Sequence, residues 1–276
     1  MVYITKADGS KQIFERWKVV RTCLRFGLKE EEANKVADKV ESKIYEGITT
    51  KEILKLIFRF VKEFKPEIRH QIDLRESISL LRSKPDFEFF VARMLKEEGY
   101  KVEKNVVLRG KCVEHEIDCI GRKGGETVYV EVKHHVNPHI FTGVDVFLKA
   151  YAAFLDLNEG CKLKKNNVKF DKILIVCSTK ISDHALEYAD CMKISYIAWK
   201  VPRERSLEKI ISEKKLYPIT LIKNLRVREQ SRLIDNGFIL LKDLIKFPAK
   251  VIRRKTGIDK KRVEELKDIA KKLLQS

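Results

Sequence analysis

From His115 to Ile120 and again from Thr127 to Lys133, apolar and polar residues alternate at the period of a β-strand, and the turn-rich GRKGG separates the two runs. Residues two apart in a strand share a face, so the pattern predicts a β-hairpin with the glycines at its turn. Val130 and Val132 then face a packed side, while Glu131 and Lys133 share the other. Upstream, Phe87, Phe90, Val91, Met94 and Leu95 recur at helical spacing, with Ser83, Pro85 and Asp86 as start signals and Gly99 as the stop. The same reading predicts strands near 102–108, 112–120 and 126–133 and a helix at 143–157. A buried strand at 172–178, a helix at 182–193 and a strand at 194–199 complete an αβββαβαβ order over residues 83–200, a mixed α/β domain.

On either side the pattern changes. Residues 1–82 open with VYITKADGSKQIF, a strand, a DG turn and a second strand. Amphipathic helices follow at 15–26, 30–46 and 51–63, the last started by the capping box of Thr49 and Glu52. KPEIRHQIDLRESISLLRS continues as helix after Pro66. Residues 225–276 alternate nowhere like a strand and read as short helices divided by Gly237, Pro248 and the TGI of 256–258. Residues 201–224 read as a linker or adaptor. The expected fold class is therefore multidomain α/β, with a mainly helical N-terminal domain and an all-α C-terminal bundle.

Charge sharpens this picture. The formal net charge is +18, and residues 225–276 alone hold fifteen Lys and Arg against seven Asp and Glu. A Lys/Glu-rich surface would account for 36% charged residues but not for the imbalance, which points to a polyanionic partner, nucleic acid above all. The N-terminus lacks the pattern of a signal peptide and no run reaches the roughly 18 apolar residues of a membrane span, so a cytoplasmic protein with no membrane partner is expected. Six cysteines show no CxxC pair, and several lie in apolar runs such as KILIVCS, as small hydrophobes do. A zinc cluster of Cys112, His115, Cys119, His134, His135 and His139 is not expected, because the CxxHxxxC on a strand points its members to different faces.

The polar face of the hairpin carries the chemistry. A modest stagger would bring Asp118 beside Glu131, and two carboxylates so close repel unless a divalent cation compensates them. Oxygen donors with open positions suit Mg²⁺ or Mn²⁺, which lower the pKa of a bound water and stabilise charge on a phosphorane. A nearby lysine, Lys133, would orient the attacking water or neutralise charge.

Asp118 followed after twelve residues by Glu131-Val132-Lys133 resembles the PD-(D/E)xK nuclease signature. With the helix in front, the "hEID" strand, "vyvEvK" and the "ALEYA" helix, residues 84–200 look most like its Mrr-type, restriction-endonuclease-like branch. The resemblance implies a Mg²⁺-dependent DNA endonuclease with Glu88, Asp118 and Glu131 as metal ligands and Lys133 as the fourth catalytic residue. On the residues' own placement, Glu116 shares the side of Asp118 and reads as a further or supporting acid, Lys149 as a surface lysine within reach of DNA phosphate, and His134 and His135 as phosphate contacts or the end of the strand. A structure-selective nuclease or Holliday-junction resolvase shares this logic, and a non-catalytic, nucleotide-responsive DNA-binding regulator is the rival from another class. Double-strand cutting would favour a homodimer.

Residues 1–82 resemble the ATP-cone, a regulatory nucleotide-binding domain, through the DG-turn hairpin, Lys18 four residues after Phe14, and the TTKEI helix start. The resemblance implies ATP or dATP as an effector, contacted by Lys6, Lys18 and Thr50. Ala7, Gln12 and Leu54 depart from the family's pattern. No GxxxxGK[ST] is present, which argues against P-loop hydrolysis. The basic tail resembles a helix-hairpin-helix module that grips duplex DNA by its phosphates, which implies Arg253, Arg254, Lys255, Gly257 and Lys260 as contacts.

Overall fold

The computed structural model describes residues 2–275. Along the chain run β1 (Tyr3–Thr5), β2 (Lys11–Ile13), α1 (Arg16–Arg25), α2 (Glu30–Glu41), α3 (Thr50–Val61), α4 (Leu74–Ser79) and α5 (Glu88–Glu97). Then come β3 (Lys101–Arg109), β4 (Glu114–Lys123), β5 (Glu126–Lys133), β6 (Phe141–Thr142), α6 (Val144–Lys162), β7 (Lys172–Cys177), β8 (Lys180–Ile181), α7 (Asp183–Cys191) and β9 (Ser195–Ile197). The last helices are α8 (Leu207–Glu213), α9 (Val227–Asp235), α10 (Leu241–Lys246), α11 (Ala249–Thr256) and α12 (Lys260–Gln275).

The chain divides into two compact units whose boundaries differ from those expected. One joins residues 2–73 to 221–236 and 241–275; the other holds 74–220 and 237–240. Residues 201–224 are packed rather than a linker: Leu207, Ile210, Ile211 and Leu216 are all buried. Their spacing is that of a helix face, and burying each aliphatic side chain is worth about 1.5–3 kcal/mol, more than an open connector could forgo. The basic C-terminal helices do not stand as a separate bundle either. Within their unit, Ile72 N–H donates to Leu221 O at 3.0 Å and Lys223 N–H to His70 O at 2.9 Å, and α12 packs on the short turn Pro66–His70. Pairings this distant in sequence leave no local pattern to read.

In the first unit, Gly9 takes φ 81 at the turn between β1 and β2, and Thr5 bridges to Thr49 beside the start of α3. There Thr49 Oγ1 accepts from Glu52 N–H at 3.2 Å while Thr49 N–H donates to Glu52 Oε2 at 3.0 Å, the capping box in full. The expected helix after Pro66 is broken into the Pro66–His70 turn and α4. Val36, Ala37, Val40, Ile57 and Val61 belong to this unit's core.

The second unit is built on a five-stranded sheet in the order β3-β4-β5-β7-β9. Its first three strands form an antiparallel meander, and β7 and β9 add parallel through α6 and α7. Ile117, Ile120, Tyr129, Phe147, Ile173 and Ile175 pack between sheet and helices. Asp156 on α6 fixes the turn between β3 and β4: it accepts from Cys112 N–H at 2.9 Å and meets His115 Nε2 at 2.8 Å. The hydrogen bond from His115, with burial opposing it and the amides adding to it, holds the Asp156 carboxyl well below the usual range. A Cβ on Gly160 would lie 2.7 Å from Arg109 O, so the α6 backbone approaches the end of β3 at a distance that only glycine allows.

Candidate active site

Asp118 sits where the sheet comes apart. The β4–β5 ladder ends at Cys119 and Val130, one pair short of Asp118 and Glu131, while β5 continues beside β7 as far as Lys133 and Cys177. In the gap Asp118 Oδ2 accepts the Val132 N–H at 2.8 Å. Across the other edge of β4 the ladder skips the pair Asn105–Asp118, and Asn105 takes the left-handed φ of 52. Asparagine tolerates that conformation better than other residues with a Cβ, and such local strain concentrates at functional sites.

Around Asp118 the carboxylates gather. Glu88, the first residue of α5, and Glu116, on β4, both reach the ammonium of Lys84, at 3.4 Å and 3.2 Å, and Asp118 Oδ1 lies 3.7 Å from it. Glu88 and Asp118 are buried and Glu116 is exposed. Burial and then the neighbouring Asp118 charge push Glu88 and Glu131 above the ordinary carboxylate range. Burial likewise raises Asp118, against the opposing Val132 N–H and Lys84. Glu131 Oε2 accepts a 2.9 Å hydrogen bond from the Tyr129 hydroxyl, and the Lys149 charge, on α6, acts on Glu131 in the same stabilising direction. Lys133 is half-buried at the end of β5, and among the described residues its ammonium has no carboxylate within 4.0 Å.

The approach of Glu88 to the sheet is enforced by His134, which turns inward instead of toward a phosphate. It is buried, its Nε2 is 3.0 Å from Ile78 O and its Nδ1 is 3.2 Å from Ser83 Oγ, while its ring lies 5.0 Å from that of Phe87. Burial keeps it neutral by lowering its pKa, so one ring nitrogen donates to the carbonyl and the other accepts from the hydroxyl. Asp86, also buried, holds the Arg82 backbone N–H at 3.1 Å and its Nε–H at 2.9 Å. The segment from Ser83 to Glu88 is thus tied at both flanks, with Lys84 extended between them (φ −123, ψ 133).

Sequence reasoning missed Lys84, whose extended backbone takes it off the helix on which a spacing of four before Glu88 would mark a paired charge. It also missed Asn105, for which only the turn preference of asparagine inside a strand hinted. The imagined zinc set does not assemble, since His115 is taken by Asp156 and Cys119 is buried. Among the described residues no three His, Cys, Asp or Glu side chains are already disposed around one metal position.

Elsewhere the expected contacts are less concentrated. The Thr5–Thr49 bridge brings the backbone at Lys6 alongside that at Thr50, whereas the Lys18 ammonium is held by Glu15. Arg253, Arg254 and Lys255 are exposed on the last turn of α11. Gly257 adopts φ 67 as the helix C-cap and spends its N–H on Arg253 O at 2.8 Å. Asp259 Oδ1 accepts the Lys261 N–H at 2.9 Å at the start of α12, and Lys260 pairs with Glu264 at 3.6 Å. The Gly257 and Lys261 amides, two of those expected for phosphate, are therefore committed internally.

Residues 80–200 match the family described as restriction endonuclease, of the Mrr catalytic type, and residues 217–274 the one described as AF1548-like, C-terminal. An uncharacterized protein of Archaeoglobus fulgidus is 31% identical over 186 residues, which are 67% of this chain and 99% of that one. The chain belongs to the AF1548-like family. The crystal structure of AF1548, a protein of unknown function, superimposes with a TM-score of 0.59 at 31% identity, covering 68% of this chain and 96% of that one. The restriction-endonuclease match over residues 80–200 spans the five-stranded sheet, and the opening between β4 and β5 falls inside it. No described helix is long and apolar enough to cross a membrane.

Proposed function

We propose that the protein is a divalent-cation-dependent DNA endonuclease of the PD-(D/E)xK kind. One observation carries this reading: Glu88 and Asp118 close on one ammonium where the β4–β5 ladder opens, Glu131 stands at that opening, and burial raises all three acids, with the Asp118 charge adding to it at Glu88 and Glu131. Their oxygens suit Mg²⁺ or Mn²⁺, and the lysine ammonium lodged among Glu88, Glu116 and Asp118 marks the place as favourable for a cation. When bound there, the metal would supply a water of lowered pKa and neutralise charge on the scissile phosphate.

The chain's own residues do the rest. Tyr129 fixes the Glu131 carboxylate, the Val132 N–H fixes that of Asp118, and His134 fixes the segment that presents Glu88. Lys133, without an ion-pair partner among the described residues, would orient the attacking water or neutralise the phosphate. Arg253, Arg254 and Lys255 contribute DNA contacts through side-chain charge rather than helix-terminus amides. Residues 2–73 act as an ATP-cone in which ATP or dATP is an effector, met by Lys6, Thr50 and a Lys18 released from Glu15. The test is incubation with supercoiled plasmid, a four-way junction and methylated duplex, with and without Mg²⁺ and ATP. Metal-dependent cleavage of any of them supports the reading. A homogeneous, DNA-binding preparation that cuts none would overturn it.

A further inference from the structure

The geometry points to Lys84 as a built-in cation that competes with the divalent metal for the carboxylates of the site. The inference rests on the metal-holding role proposed for Glu88 and Asp118 and adds a residue to it. Three acid groups surround the one ammonium, at 3.2 Å (Glu116), 3.4 Å (Glu88) and 3.7 Å (Asp118). Two of these belong to the set proposed for the metal, so the ammonium and a metal bound there would use the same oxygens.

Three further features separate this arrangement from a chance surface pair. The position of Lys84 is built: Ser83 before it bonds the buried His134, and Asp86 after it bonds the Arg82 backbone, so the extended Lys84 backbone delivers its side chain to one place. The Glu88 and Asp118 side chains are only 4% and 10% exposed, and a partly desolvated pair attracts more strongly than a surface pair. The lysine side chain itself remains 59% exposed, so it can leave into solvent without unpacking the core. Burial works against the charge of Lys84, yet the Glu116 hydrogen bond and the Glu88 and Asp118 charges outweigh it and hold the ammonium firmly protonated.

A metal arriving at the site must therefore displace a tethered monovalent cation. Part of its binding free energy is spent on breaking these ion pairs, so its apparent affinity is lower than the carboxylate set alone would give. A phosphodiester beside the site would offer the displaced ammonium a new anion. By the reciprocity of linked equilibria, metal and DNA then favour one another's binding.

Calorimetric titration of Mn²⁺ into the full-length protein tests this without reference to cleavage. Lys84→Met, which keeps the aliphatic stem and loses the charge, should bind Mn²⁺ at least tenfold more tightly than wild type, whereas Lys84→Arg should stay close to wild type. In a chelator, Lys84→Met should melt below wild type, because its carboxylates repel without a counter-charge, and Mn²⁺ should stabilise it by the larger amount. Equal Mn²⁺ affinities for wild type and Lys84→Met, lost together in Asp118→Ala, would overturn the role of Lys84 and leave the metal site standing. Absence of Mn²⁺ binding in wild type, Lys84→Met and Lys84→Arg alike would overturn the metal reading and the inference with it.

Discussion

The carboxylates at the opening of the sheet and the two N-terminal lysines, Lys6 at the β1–β2 turn and Lys18 on α1, are both groups of like charge, and the protein treats them in opposite ways. Glu88, Asp118 and Glu131 are brought out of water and toward one another, so each is raised by burial and by a neighbour of its own sign. Lys18 stays exposed and is neutralised by Glu15, while Lys6 sits on a turn whose hydrogen bonds are local. Exposed like charges cost little, because solvent screens them. Buried like charges cost stability that a sequence keeps only where something other than folding requires it. The acid cluster is therefore the stronger functional signal of the two.

That contrast can be broken at its anchor first. His134→Ala removes the partner of Ile78 O and Ser83 Oγ, and an unsatisfied buried acceptor costs about 1–3 kcal/mol before the lost ring contact with Phe87 is counted. The melting temperature should fall by about 4–10 °C, at 2–4 °C per kcal/mol for a domain of this size. A change under 1 °C in thermal denaturation would show that Glu88 is held by something else.

Next in size is the basic turn of α11. Replacing Arg253 and Arg254 by alanine should weaken duplex binding about tenfold or more at moderate salt. It should also lower the slope of log K against log salt by about two, roughly one for each phosphate contact. Parallel salt titrations of variant and wild type check this, and equal slopes would move the DNA contact elsewhere. Substitution is the right tool here, since deleting the tail would strip α12 from the Pro66–His70 turn it packs on.

A smaller effect sharpens the comparison directly. Asp118→Asn keeps an acceptor for the Val132 N–H and removes one of the repelling charges, so in a chelator at neutral pH the variant should melt higher than wild type by about 2–4 °C. The sign follows from proton linkage: the folded pKa of Asp118 is raised, so the folded state binds this proton more tightly than the unfolded chain does. Wild type recovers the lost stability as pH falls from neutrality through the raised value, and the gap between the two proteins should close toward about pH 4. Melting curves across that range suffice, and a gap that is constant with pH would remove repulsion as its cause.

The smallest effect is expected on the lysine side. ATP or dATP titrated by calorimetry should bind with micromolar affinity and lose several-fold in Lys18→Ala, because Lys18 must first leave Glu15. No heat with either protein would leave residues 2–73 a packing unit, and release of phosphate would contradict an effector role.

How much of this the sequence carried varies with the range of the interaction. β5 spans the residues its alternation marked, and the Thr49–Glu52 box starts α3, because period and capping are local properties. The acids Asp118, Glu131 and Glu88 were legible as charges interrupting apolar patterns, and the structure adds the broken ladders that make room for them. Lys84 was illegible as a partner because its meaning depends on a strand thirty residues away. His134 read as a phosphate contact or a strand end because a histidine after a strand carries no mark of its burial. The packing of 201–224 could have been read from Leu207, Ile210 and Ile211, but the joining of residues 2–73 to the C-terminal helices rests on backbone pairings with no periodic trace.

The central claim, that the buried acids serve phosphodiester cleavage, is met most directly by one paired measurement. Asp118→Asn and Glu131→Gln are purified alongside wild type, and plasmid cleavage in Mg²⁺ and duplex affinity in chelator are followed on the same preparations. The account predicts that both variants lose cleavage by at least about a thousandfold, keep duplex affinity within about threefold because surface cations carry it, and remain folded. Undiminished cleavage in either folded variant would contradict it.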